Sequence, residues 1–575
     1  MNEQLENLYI PAGAFDSYGG WSLDTQFIVN MGSPYLLAHG LGEAVADATT
    51  KISIKNPGKY KVWAYTKDWV AHWKQGVAPG LFKIQIDNQS SELLGNEGKN
   101  WAWQEAGIYE LASGEYTLSL IDQTGFEGRC AAIFFSSDLN FVPQGGKAEL
   151  ESLQKTLYKN AEPENLGHFD IAIAGGGIAG MTAAVTAAKN GLKVALIQDR
   201  SVLGGNNSSE VRVWLGGKTN FEPFPKIGDI TKMFEPQRCA HYGHTNTGDL
   251  YEDEKRDELI RSFPGISLFL NCFVKKAEVF DGTIKSVTCL DVKTQREKTI
   301  SANLFVDATG DATLGYEAGA DHEITTNGHM GMTNVWYVED TGEPTEFAPC
   351  PWAIDLSGSD FPGRHAKSDE DAELHLGGWY WESGLEHDPI ELAEYARDTN
   401  FRAMYGAFDA LKNTDKVLST YKLGYANYIG GKRESRRLLG DIILTKSDVF
   451  SNYQFDDGCI ASTWEVDVHY PKRECYASFH EGDAFITTAY FEKFPVVPYF
   501  VPYRCLYSRN IKNLFMAGRN VSVSHDALGT VRVMRTGGLM GEIVGYAASL
   551  CKKYGTTPKD IYESHLEEFI NLLKN

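Results

Sequence analysis

Three glycines, Gly175, Gly177 and Gly180, stand in the stretch "FDIAIAGGGIAGMTAAVTAAKNGLKVALIQ" (169–198) at the spacing that holds a phosphate. They fall where an apolar strand, "DIAIA", must turn into a helix. Gly175 permits the tight turn, Gly177 lets a diphosphate approach the backbone, and Gly180 lets helix and strand pack closely. The helix start, at Ile178 and Ala179, offers N–H groups and a dipole that favour negative charge. Small residues follow at Ala183, Ala184, Ala187 and Ala188, Gly191 ends the helix, and "KVALI" supplies the next strand. Alone, the glycine spacing is weak evidence; within a strand, helix, glycine and strand of this length it specifies a dinucleotide site. The acidic residue that ordinarily ends the second strand, and accepts bonds from ribose hydroxyls, is replaced by Gln198 with Asp199 beside it. Either can meet the ribose, and Arg200 is placed to lie against an adenine.

Three further stretches narrow the dinucleotide to FAD. "LGGNNSSEVRV" (203–213) directly follows the second strand, and its Gly204, Gly205, Asn206 and Ser208 can line a diphosphate and ribityl chain. "ANLFVDATGDATL" (302–314) is a buried strand running into Ala308, Thr309, Gly310 and Asp311. "NIKNLFMAGRNVSVSHDALGTVRVMRTGGLMGEIVGYAASL" (510–550) gives a strand, a turn at Gly518, a polar loop and a small-residue helix. Together with "GKRESRRLLGDIILT" (431–445), these resemble the glutathione-reductase-like flavoprotein superfamily, and more narrowly the bacterial FAD-dependent oxidoreductases. The resemblance covers residues 169 to 550. It implies bound FAD, with the last helix aiming its N-terminus at the flavin pyrimidine, an approach that Gly529, Thr530, Gly537 and Gly538 would permit. Where many relatives have Gly-Asp at the ribityl chain, this chain has Gly518-Arg519.

No second glycine fingerprint with a strand before it and no cysteine pair is found, so neither a separate NAD(P)H domain nor a dithiol relay is expected. That leaves a flavin exchanging hydride with one substrate. Oxidising an alcohol needs a base for the hydroxyl proton, and histidine suits that near neutral pH. His525, in "SVSHDALG", is the first candidate, because the resemblance puts its loop beside the isoalloxazine; His480 in "CYASFHEGD" and His244 in "CAHYGHTNTGD" come second. Arg433, Arg436, Arg437, Arg504, Arg532 and Arg535 can be read as a clamp for a carboxylate substrate, as structural ion pairs or as contacts to the FAD diphosphate, with the structural reading favoured.

The elements that position these groups make an α/β chain: a doubly wound FAD-binding domain with an inserted substrate lobe, preceded by an all-β sandwich. Residues 1–140 alternate at period two in "KYKVWAYTKD" (59–68), "LFKIQID" (81–87) and "EYTLSLIDQTG" (115–125), separated by turn residues. A linker with an exposed helix occupies 141–168, the FAD domain runs through 169–320 and 501–550, the substrate lobe lies between at 321–500, and a helix ends the chain at 551–575. "GGWSLDTQF", "MGSPYLLAHGLG", "YTKDWVAHW" and "TGFEGRCAAIFFSSD" resemble a carbohydrate-module-like sandwich found on one branch of the family in glycan-degrading bacteria. Six of the twelve tryptophans, Trp21, Trp63, Trp69, Trp73, Trp101 and Trp103, lie in that quarter, as sugar platforms or as core and interdomain packing.

The net charge of −22 argues against nucleic acid and anionic membranes as partners. No apolar run is long enough to span a bilayer and the first ten residues lack a signal peptide's features, so the expected location is cytoplasmic, or periplasmic had a leader been removed. Nine scattered cysteines read as reduced thiols, without a metal site. The expected activity is oxidation of a secondary alcohol on a sugar or glycoside, with an electron acceptor that no motif names and a homo-oligomer left open. The alternatives are a reductase of a carbonyl or of an activated double bond in an unsaturated acid, and a glycan-binding protein with a vestigial flavin domain.

Overall fold

The computed structural model describes residues 6–159, 161–366, 375–471, 479–480 and 482–575. At its centre the strand Glu164–Ala174 carries a fully buried end, Ile171 to Ala174, flanked by parallel partners on both sides: Val194–Ile197 and Glu297–Asp307. Burial on both faces is why this segment reads as a continuous apolar run rather than an alternating one. The sheet has seven strands, in the order Ile266–Phe269, Val194–Ile197, Glu164–Ala174, Glu297–Asp307, Thr283–Asp291, Cys272–Phe280, with Leu514–Met516 also paired to Glu297–Asp307. Glu297–Asp307 is therefore shared: its first half takes an antiparallel hairpin strand, and its second half takes Leu514–Met516 in parallel.

Two helices cover the sheet beside the glycine loop. Ile178–Lys189 is buried almost throughout, and Met534–Tyr554 lies close enough for the Thr182 hydroxyl to donate to the Gly538 carbonyl at 2.9 Å. The alanines and glycines of both segments make that approach possible. The terminal helix Pro558–Lys574 buries Ile561, Phe569 and Leu573 against the same core. Among the described residues, no helix is long and apolar enough to cross a membrane.

Residues 7–136 form three antiparallel sheets of four, three and four strands. Alternation in the sequence becomes alternation of faces, as in Phe82–Ile86, which buries residues 82, 84 and 86. The tryptophans face inward or toward the rest of the chain. Trp21, Trp63 and Trp69 are buried, while Trp73 Nε1 donates to the Tyr395 hydroxyl at 3.2 Å, Trp101 Nε1 to Glu394 at 3.0 Å and Trp103 Nε1 to Glu149 at 2.9 Å. Their partners Glu394 and Tyr395 belong to the helix Ala393–Asp409, which is buried along most of its length. The helix Lys147–Leu157 also docks rather than standing exposed: Leu150 is buried, and Gln154 donates to the Gly32 carbonyl at 2.8 Å and to Gln295 Oε1 at 2.9 Å.

Candidate functional site

The strand Glu164–Ala174 ends at Gly175, whose φ of +102° is open to glycine and strained for other residues. A Cβ added there would stand 2.2 Å from the Ala308 carbonyl, and one added at Gly180 would stand 1.8 Å from the carbonyl of Gly175. Helix and strand are thus in backbone contact at Gly180. Gly180→Ala is expected to leave the purified protein colourless and less stable, read as bound flavin per chain and Tm; full flavin content would refute the close-approach argument.

Beyond these two residues the chain opens into a cavity of about 460 Å³, of the size class that holds large ligands. Gly177, Ile178 and Ala179 line it at one helix start, and Val533, Met534 and Gly537 at the other. A Cβ at Gly177 would meet only the Gly205 Cα at 3.8 Å, and one at Gly537 only the Gly518 Cα at 3.6 Å and the Ala179 Cβ at 3.9 Å. Two helix N-termini therefore face a slot with bare backbone on its walls.

At one end of the slot, the Gln198 side chain accepts from the Gly176 N–H at 2.8 Å and donates to the Val202 carbonyl at 3.1 Å. Both ends of its amide are committed to holding the glycine loop, which a carboxylate could not do. Asp199 also lines the cavity, and burial pushes its carboxyl up against the pull of Arg200, itself paired with Glu210 at 2.8 Å. Asp199 is thus a carboxyl on the cavity wall at the end of the second strand, beside the committed amide of Gln198. Gly204, Gly205, Asn206, Ala308, Thr309, Gly310, Asp311, Gly518 and Arg519 continue the lining. Asp311 lies 2.7 Å from Lys432 and 2.5 Å from Arg519; burial alone would raise its carboxyl, but these two cations hold it well below the usual carboxylate range.

Five residues expected at the cofactor lie outside this lining. Ser208 is fully buried and donates to the Gly205 carbonyl at 2.7 Å, holding the loop from behind. Gly180 is the packing contact already described. Gly529 packs on the strand Val466–Tyr470, where a Cβ would be 2.9 Å from both Asp467 N and O; Gly538 packs on Thr231; and Thr530 is buried and bonds the Trp464 carbonyl. These last three pack on neighbouring elements and do not themselves line the cavity.

The other end of the cavity is walled by Trp214, Tyr242, Trp379, Tyr380, Trp464 and Phe491 around a cluster of charge. His469 lines it, with Nδ1 2.6 Å from Glu382 Oε2 and Nε2 3.3 Å from Asp467 Oδ1. Glu382 is completely buried and accepts also from the Gly331 N–H at 2.6 Å and the Thr487 hydroxyl at 2.9 Å. Burial would raise its carboxyl, yet Arg433 and His469 outweigh that and hold it at about 2. Arg433 stands 3.4 Å from Glu382, and Arg532 donates to the Asp467 carboxylate at 2.9 Å. Burial lowers the Arg532 guanidinium from its ordinary value despite Asp467.

Two of the three candidate histidines fall elsewhere. His525 begins the helix His525–Val531, with Nδ1 2.8 Å from Glu434 Oε2, and is not among the lining residues. His244 is exposed and also outside the lining. The His480 side chain lies outside the described residues. Of the six arginines, Arg433 and Arg532 line the cavity; Arg436 lies 3.8 Å over the Tyr316 ring, while Arg437 binds Glu434, Arg504 binds Asp457 and Arg535 binds Glu235. His469 was missed by the sequence reading, although "VDVH" carries a signal: in a strand, Asp467 and His469 share a face.

The fit to FAD can be tested on the polar atoms. Among the described residues, Thr25 Oγ1, Trp379 Nε1, Arg519 Nε and Arg532 Nε are buried without a hydrogen-bond partner, and all four residues line this cavity. Buried polar groups are ordinarily satisfied, so these await a polar ligand. With two helix N-termini, bare glycine backbone and a carboxylate at the second strand's end, the cavity fits a flavin dinucleotide.

Fold and cavity define a flavin-dependent oxidoreductase. The chain belongs to the FAD dependent oxidoreductase family, whose model matches residues 170–573. No curated protein matches the sequence. Among solved structures, a flavin-dependent monooxygenase in complex with FAD and substrate is 14% identical over 32% of this chain and 40% of its own, with a TM-score of 0.20. The quinol fumarate reductase of E. coli is 14% identical over 70% of this chain and 74% of its own, with a TM-score of 0.29, and a quinol-fumarate reductase with menaquinol molecules is 14% identical over 67% and 71%, at 0.31. The chain thus spans less than half of the first of these and about three quarters or less of the other two.

Proposed function

We propose that this FAD-dependent oxidoreductase oxidises a secondary alcohol on a sugar or other polyol, with His469 as the base that takes the hydroxyl proton. The bound flavin supplies the hydride acceptor. The observation that carries the reading is the His469–Glu382 pair: a cavity-lining imidazole whose Nδ1 is fixed by a buried carboxylate, leaving Nε2 toward the adjacent acceptor Asp467 Oδ1. That is the arrangement of a general base with its orienting group. A substrate hydroxyl that takes the place of Asp467 Oδ1 at Nε2 gives its one proton to the neutral imidazole, while Asp467 keeps its bond from Arg532.

Charge favours a neutral polyol over an acid. Arg433 and Arg532 supply two positive charges, but Glu382 and Asp467 stand against them, so a carboxylate substrate would compete with groups already in place. The aromatic walls suit sugar rings. The reverse reading, reduction of an unsaturated acid, rests on the same two arginines. Anaerobic mixing of the yellow protein with panels of sugars, glycosides and hydroxy acids distinguishes them: bleaching by a polyol is expected. Reoxidation of chemically reduced protein by an unsaturated acid, with no alcohol bleaching the flavin, would overturn the proposal in favour of the reductase.

A further inference from the structure

The cavity's wall includes three residues from far outside the matched region: Thr25, Gln26 and Val29. The segment that carries them is pinned on three sides. Asp24, fully buried, pairs with Arg397 of the helix Ala393–Asp409 and accepts from the Gln26 N–H at 3.0 Å. Gln26 donates to the Tyr428 carbonyl at 3.0 Å and accepts from the Gly430 N–H at 2.7 Å, fixing the approach to Gly431 and Lys432, which line the same cavity. Ile28 packs with Leu290 and Val292, beside Phe273, on the hairpin of the central sheet. Phe273 and Val274 line the cavity together with Asp199 and Arg200. The Tyr428 hydroxyl lies within electrostatic reach of both Asp24 and Arg200, which places the segment at the end of the slot where the second strand stops.

Thr25 gives this wall a chemical purpose. It is 3% exposed, and its hydroxyl has no hydrogen-bond partner among the described residues. A buried hydroxyl left unpaired costs free energy unless a ligand satisfies it.

We propose that residues 24–29 are a built part of the FAD site, with the Thr25 hydroxyl hydrogen-bonded to the nucleotide half of the cofactor. The N-terminal region then closes the cavity over FAD, and its docking and FAD binding favour one another. This inference does not depend on which substrate the enzyme uses.

The test is FAD titration of the deflavinated full chain by quenching of flavin fluorescence. Thr25→Val keeps the shape and removes the hydroxyl, and is expected to weaken FAD by about three- to tenfold, the scale of one hydrogen bond. Thr25→Ser is expected to restore wild-type affinity. Thr186→Val is the matched comparison: its hydroxyl is also buried and unpartnered, but it lies outside the lining, so affinity should not change. Equal affinity for wild type, Thr25→Val and Thr25→Ser would overturn the proposal. Should Thr25→Val fold poorly, hydrogen–deuterium exchange on the wild-type chain decides: amides 24–30 gain protection on adding FAD if they form its wall, and unchanged exchange there refutes it.

Discussion

His469→Ala is expected to slow flavin bleaching by the preferred alcohol by about 10²- to 10⁴-fold, the usual contribution of a positioned base, while the protein stays yellow. The separation follows from position. His469 stands among the aromatic walls with Asp467 and Arg532, whereas the nucleotide end of the slot is built from the glycine loop, Asp199 and Asp311. Glu382→Gln is expected to retain flavin and lose much of the same rate, because the Nδ1 partner sets which nitrogen carries the proton. Burial opposes ionisation of Glu382, but Arg433 and the Thr487 hydroxyl favour its carboxylate, which is the ionised partner of a neutral His469. The acid limb of the pH–rate profile therefore does not arise from Glu382. His525→Ala makes the contrast. It removes the 2.8 Å partner of the buried Glu434, so its main effect should be a lower Tm with bleaching near wild type. Anaerobic stopped-flow on the three variants measures the bleaching rates, and thermal unfolding measures the Tm. Wild-type bleaching by His469→Ala, with loss in His525→Ala, would return the base to His525.

What could be read from the sequence divides along the range of the interactions. The turn at Gly175 and the contact at Gly180 are local steric demands, so residue type and spacing announce them. The glycines of the last helix are ambiguous in principle. Gly537 bares backbone toward the cavity and Gly538 toward Thr231, and one residue of helical rotation decides between the two. Gln198 stands in the sequence as one of two residues that can meet a ribose; that its amide bonds Gly176 and Val202 depends on loop shape. The His469–Glu382 pair joins the strand Val466–Tyr470 to an irregular segment 87 residues away, a distance no periodicity bridges. The role of the front tryptophans was equally closed to sequence, since stacking on sugar and packing on a neighbouring helix call for the same residue.

Removal of residues 1–140 is expected to give an insoluble, colourless remainder, for reasons that a single substitution can isolate. Trp69, Val70 and Phe126 share one core with Trp352, Phe401 and Tyr405, so deletion uncovers a contiguous apolar face. It also strips partners from buried charges. Arg129, with no exposure, donates to Asp398 at 2.6 Å and 3.0 Å and to Glu394 at 2.7 Å, while Arg397 pairs with Asp24. Breaking a buried pair by removing one partner costs about 3–5 kcal/mol, a large share of the roughly 5–15 kcal/mol that holds a domain folded. Arg129→Met should show that cost in denaturant titration, and Arg129→Met with Asp398→Leu should recover part of it, because no lone charge then remains at that pair. The network also sets an acid limit. Burial would raise the Glu394 carboxyl, but Lys67, Arg129 and Arg397 hold it below its ordinary value, so the stability it contributes is present above the usual carboxylate range and is lost as pH falls through the lowered value. Wild type should therefore lose stability on acidification more steeply than Arg129→Met, in which Glu394 has given up one of those cations. Parallel acid profiles would mean that the network is not what joins the N-terminal region to the helix Ala393–Asp409, and that the shared apolar core alone accounts for their association.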